Sequence, residues 1–116
     1  MAVQFMAPPN SGAVYIFNRD GSGAWNQGAY IKASNPSQGA FFGNNALSNN
    51  GDSLLVGAYQ NTSGSSGVDA DQTINGPIAV SGAAYLFSRS SGAWTQQHFI
   101  KSSNSEFQDA FGLAVA

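Results

Sequence analysis

The chain has 116 residues, no cysteine, a net charge of −2 and only four lysines and arginines. These totals exclude disulfides, thiolate metal centres and cysteine nucleophiles, and the scattered Arg19, Lys32, Arg89 and Lys101 make no phosphate-neutralising patch for nucleic acid. Eight Phe, four Tyr and two Trp against 9% charged residues describe a chain able to bury a core at one-domain size, and no apolar run approaches the roughly 20 residues of a membrane helix.

The first ten residues, MAVQFMAPPN, lack the basic head and apolar length of a signal peptide. Residues 3–7 read as a strand with Val3, Phe5 and Ala7 on one side. The stretch AVYIF (13–17) is the next strand, with Val14 and Ile16 on one face and Tyr15 and Phe17 on the other. Both faces are apolar, which suits a sheet sandwiched between neighbours. The turn-rich NRDGSG leads into a strand over 25–31, so the pair reads as a hairpin. A strand over 41–47 follows, then SNNGD, whose Asn50-Gly51 is a type I′ hairpin signal, then a strand over 53–58.

Residues 59–81 form a long Ser/Gly/Asp-rich loop. Within it Asp69, Asp71 and Asn75 offer oxygens to a cation such as calcium, although the spacing is not that of an EF-hand; the competing reading is a solvated loop. Asn61-Thr62-Ser63 is a formal glycosylation sequon. GAAYLF (82–87) and 94–100 make a second hairpin across SRSSG. His98, the single histidine, stands on its outer strand without a local nucleophile motif and reads as a surface residue. The last strand is expected within 109–116, where Phe111, Gly112, Leu113 and Val115 fall. No sustained 3.6-residue apolar period appears, so no helix is expected.

The chain repeats itself. Gly12 to Phe17 matches Gly82 to Phe87 at an offset of 70, and Trp25 with Trp94, Ile31-Lys32 with Ile100-Lys101, and Phe42-Gly43 with Phe111-Gly112 match at 69. The one-residue slip lies in the turn before Trp94. Four strands per period suggest the four-stranded antiparallel blade of a β-propeller, although the period exceeds the roughly 40–50 residues of compact propeller repeats because of the 59–81 loop. Recurrence at the period marks Trp25 and Trp94 as packing residues rather than sugar-stacking ones.

Phe42-Gly43 followed by Gly57-Ala58-Tyr59, with the split pair Phe111-Gly112 and Met6-Ala7-Pro8, resembles the FG-GAP repeat, and SGAVYIF and SGAAYLF look like its bacterial members. The resemblance covers nearly the whole chain. It implies an integrin-alpha-like propeller, usually of seven blades, serving adhesion and ligand binding rather than catalysis, in an extracellular or cell-surface setting. Many members carry an Asp-x-Asp-x-Asp-Gly calcium loop between the first two strands. Here that place holds Ser48-Asn49-Asn50-Gly51-Asp52, with one carboxylate, and a plain hairpin is expected instead.

In blade order the chain is out of phase: 1–40 supplies the second to fourth strands of a split blade, 41–101 a complete blade, and 109–116 the first strand of another. The fold expected is all-β, a propeller of four-stranded antiparallel blades, two per chain, closed by oligomerisation. The trailing strand would have nothing to pair with at home and would be donated to a neighbouring chain. Three chains would give six blades and four would give eight. A start in mid-blade reads as a fragment or engineered piece, with a small natural oligomerising protein as the alternative. The expected function is a non-enzymatic, self-assembling structural unit. The alternative is an adhesion module binding a glycan or protein through the face shared by the 59–81 loop and the 33–39 and 102–108 loops, with calcium left open.

Overall fold

The computed structural model describes residues 9–72 and 80–116 and is all-β: six antiparallel strands in two sheets, with no helix among the described residues. The strands are β1 (Val14–Arg19), β2 (Trp25–Ile31), β3 (Asn44–Leu47), β4 (Ser53–Ala58), β5 (Ala83–Ser90) and β6 (Ala93–Ile100). β1 and β2 form one hairpin sheet, and β3-β4-β5-β6 a four-stranded meander in chain order. Short connections force this antiparallel neighbour pairing for β3–β4 and β5–β6. The expected first strand over 3–7, with Val3, Phe5 and Ala7, lies outside the described residues.

The two hairpins carry the same irregularity. In β1–β2 the register shifts between Ile16 and Phe17, which leaves Gly28 without an opposite residue; in β5–β6 it shifts between Leu86 and Phe87, which leaves Gln97. Gln97 lies 69 positions after Gly28, so the bulge belongs to the repeat and twists both hairpins alike. The turns differ. Ser91 and Gly92 both have positive φ (51° and 79°), a two-residue turn of the kind hairpin twist favours, where the first copy has a longer turn organised by Asp20. The type I′ turn expected at Asn50-Gly51 is not formed. Only Gly51 is left-handed there, Gly51 N donates to Ser48 O (2.9 Å), and the five-residue loop closes with Ser48 N on Ser53 O (2.8 Å). Asn50 instead accepts from Ser48 Oγ and Asp52 N through its side chain, a local bond that competes with the two-residue turn.

The core lies between the sheets. Leu54, Val56 and Ala58 on β4 sit opposite Phe87, Tyr85 and Ala83 on β5, so all six share one face, and Phe99 on β6 opposite Tyr85 joins them. They form one buried cluster with Val14 and Ile31 of the first sheet and with Ala33, Ala40 and Phe42 of the connection, while Ile16, Ala29 and Trp94 pack around it. Phe42 meets Tyr85 edge-on at 5.3 Å and Phe87 at 6.0 Å, and Tyr85 lies 5.2 Å from Phe99. Each such ring contributes on the order of 1.5–3 kcal/mol by burial, and the first sheet joins this cluster through Val14 and Ile31.

Candidate functional site

Three features of the repeat have a geometry that sequence alone did not show. The first is the joint between Phe-Gly and Ser-Gly. Phe42 N donates to Ser11 O (3.0 Å), and Phe42 pairs with Gly12 in a parallel bridge. Sixty-nine or seventy positions on, Phe111 N donates to Ser81 O (3.0 Å), and Phe111 pairs with Gly82 in the same way. The backbones touch: a Cβ on Gly12 would lie 2.0 Å from Phe42 O, and one on Gly82 would lie 2.2 Å from Phe111 O. Both glycines also hold positive φ, 83° and 86°, so glycine is required there twice over.

The expectation that the trailing segment finds nothing to pair with at home is therefore corrected. Phe111 and Gly112 dock on their own chain, because Gly82, Gly57 and Ala83 leave backbone-sized room for them. Only Phe111 makes a bridge; the expected strand is not formed. Asn44 Nδ2 donates to Leu113 O, bringing β3 against the residue 69 positions beyond Asn44. Leu113 is exposed, and Val115 lines a shallow cleft with Leu55, Ala84 and Ile100.

The second feature is a lysine clamp. Lys101 Nζ donates to Ser81 Oγ (2.6 Å) and Gly82 O (2.7 Å), and Lys32 Nζ donates to Ser11 Oγ (2.6 Å) and to Gly12 O. Each ammonium thus holds the strand entry on which a Phe-Gly docks. Burial pushes the Lys101 ammonium down to about 8, with Asp109 opposing the shift, and burial lowers Lys32 as well. The Ile-Lys pair was visible as a repeat, but nothing in the sequence marked a lysine as buried.

The third feature is an asymmetry between equivalent faces. Tyr85, Phe87 and Phe99 are 0%, 4% and 0% exposed, whereas their counterparts Tyr15, Phe17 and Tyr30 are 55%, 54% and 52% exposed. Trp94 is half-buried against the core with the Arg89 guanidinium 5.9 Å over its ring, and its counterpart Trp25 is exposed. Register places Tyr15, Phe17, Tyr30 and Trp25 on one side of the β1–β2 hairpin, so they form a continuous open aromatic face. An apolar patch of this kind marks an interaction surface.

The long loop is packed rather than a loose crest over its described part. Asn61, Ser63 and Ser65 are buried. Asn61 Nδ2 donates to Tyr85 OH (3.0 Å), and Tyr85 OH donates to Asn35 Oδ1 (2.6 Å). Burial raises the Tyr85 phenol, partly offset by the bond to Asn35. With Asn61 inside the fold, the sequon offers no accessible amide. Further on, Gly67 exchanges backbone bonds with Ser102 and Lys101, and Asp69 N donates to Phe99 O (2.7 Å), so the loop caps the outer edge of β6. It also reaches the 33–39 loop through Ser34 Oγ on Gln72 Oε1 (2.5 Å). Asn35, Pro36, Ser37, Asn61, Thr62 and Gln72 line a polar cavity of about 250 Å³ between the two loops.

Of the proposed cation ligands, Asp69 turns to protein partners. Its carboxylate meets His98 Nδ1 at 2.7 Å and accepts from Phe99 N at 3.0 Å, and these bonds, that to His98 first, hold it below the usual carboxylate range. Asp71 O accepts from Ser63 Oγ, and Asn75 lies outside the described residues. No three His, Asp or Glu side chains gather into a metal-holding group among the described residues. His98 is exposed.

Comparison with protein-family models, curated proteins and solved structures returned no match. The chain's own repeat is therefore the comparison on which the functional reading rests.

Proposed function

We propose that the chain is a non-enzymatic structural unit of an FG-GAP-like β-propeller that assembles with copies of itself, head to tail, into a ring. The observation that carries this reading is that one joint occurs twice: Phe42-Gly43 sits on Gly12, and Phe111-Gly112 sits on Gly82 in the same parallel register. A joint repeated with the same geometry turns each unit by the same angle, and such a heterologous contact closes into a ring when the rotation permits. The segment 109–116, docked at Phe111, would then become the first strand of a further blade once the strands of a neighbouring chain pair with it. Three chains would make six blades and four would make eight. Light scattering tests this directly. A mass near three or four times 12.0 kDa is expected, and a species that stays at 12.0 kDa at high concentration would end the proposal.

A second reading, ligand binding through the loop face, is favoured by the cavity between Asn35 and Gln72, where amide and hydroxyl groups of two loops converge. A glycan array is its test. Binding lost on Gln72→Ala supports it, and an array without signal sets it aside.

A further inference from the structure

Resting on the assembly reading above, we infer that the open aromatic face of β1–β2 is the seat for the far face of the four-stranded sheet of a second copy. The internal junction shows what such a seat accepts. Inside the chain, the buried aromatic face of β4–β5–β6 is covered by Val14 and Ile31, with Ile16 beside them and Phe42 edge-on to Tyr85 and Phe87.

The residues at the equivalent positions one repeat later have the matching chemistry. Ala84 stands for Val14, Leu86 for Ile16, Ile100 for Ile31 and Phe111 for Phe42. They lie together: Leu55, Ala84, Ile100, Phe111 and the tail residues line one shallow apolar cleft, and Leu86 lines its neighbour with Leu55 and Ala116. Three replacements are polar: His98 for Ala29, Ser102 for Ala33 and Asp109 for Ala40. The His98 imidazole is already held by Asp69.

The equivalence gives two contacts between copies. Phe111 of the second copy meets Tyr15 and Phe17 edge-on, as Phe42 meets Tyr85 and Phe87. Asn104 of the second copy accepts from the Tyr15 hydroxyl, as Asn35 does from Tyr85. Asn104 is exposed here, as Tyr15 is. The occupant is thus a second copy of this chain, because its own sequence supplies the aliphatic side chains, the aromatic ring and the amide acceptor at the positions equivalent to Ile16, Ile31, Phe42 and Asn35.

Complementation tests the pairing. Phe17→Glu blocks the seat and leaves the far face intact; Leu86→Glu does the reverse. Each variant alone should remain near 12.0 kDa, and an equimolar mixture should give a pair of twice that mass and go no further. If the unaltered chain assembles but either variant assembles equally well, this inference falls while the ring stands. If the unaltered chain stays single, the ring itself falls. Should a variant lose its β-sheet circular dichroism, hydroxyl-radical footprinting of the unaltered chain decides. Oxidation of Tyr15, Phe17 and Tyr30 should drop at least threefold on assembly while Trp94 is unchanged, and constant rates at all four would overturn the pairing.

Discussion

Gly82 shows what one residue contributes. Its φ of 86° and a neighbour 2.2 Å from any added Cβ mean that Gly82→Ala must both strain the backbone and push Phe111 away. A loss of about 2 kcal/mol or more is expected in denaturant melts. Gly92→Ala is the control: its φ is 79° but nothing lies within 4 Å, so only the conformational cost of about 1 kcal/mol should appear. Lys101 makes a pH prediction. Below about pH 8 both folded and unfolded chains hold its proton, and the cost of burying the ammonium is fully felt. Between about 8 and the ordinary 10.5 the unfolded chain binds a proton that the folded chain has released, so stability rises with pH. Tyr85 acts oppositely: above pH 10 the unfolded phenol ionises while the buried one does not, and stability falls. Melts from pH 7 to 11 should therefore rise from about pH 8 and peak near pH 10, and Lys101→Met should flatten the rising limb.

At the scale of elements, the strands obey pattern and the loop obeys partners. The strands read at 25–31 and 53–58 from alternation and turn residues form over the same spans. Asp69 holds the long loop to β6 through Phe99 N and His98, so Asp69→Ala should speed amide exchange at Phe99 about fivefold, the equivalent of roughly 1 kcal/mol for one hydrogen bond. Calcium at millimolar concentration should leave the melt unchanged, since the Asp69 carboxylate is already engaged; a clear rise would restore the cation reading of the loop. Neither the loop's edge-capping path nor the shared bulge was legible, because both depend on which strand happens to lie alongside. The Phe-Gly and Ser-Gly motifs were legible as repeats, but their contact with each other spans 30 residues and leaves no local mark.

For the whole molecule, the difference between its two sheets is the fact with consequences. Matching aromatic positions are buried on one sheet and exposed on the other, and leaving three or four rings in water forgoes several kcal/mol of burial. Assembly that recovers this makes stability depend on concentration. The melting temperature should rise with protein concentration in scanning calorimetry, and Phe17→Glu should abolish that dependence while leaving the melt of the dilute chain within a few degrees.

The amino-acid sequence by itself determined the β class, the hairpins and the period, because alternation, turn residues and repetition are local properties of a chain. It also placed the glycines and the lysines at equivalent positions, without saying what they touch. Only the tertiary structure decided that Phe111-Gly112 docks on its own sheet, that Lys32 and Lys101 clamp strand entries, that Asp69 serves His98, and which of two near-identical aromatic faces is covered. Two copies of one pattern differ in burial solely through their neighbours, and a neighbour in space is what a linear pattern does not encode.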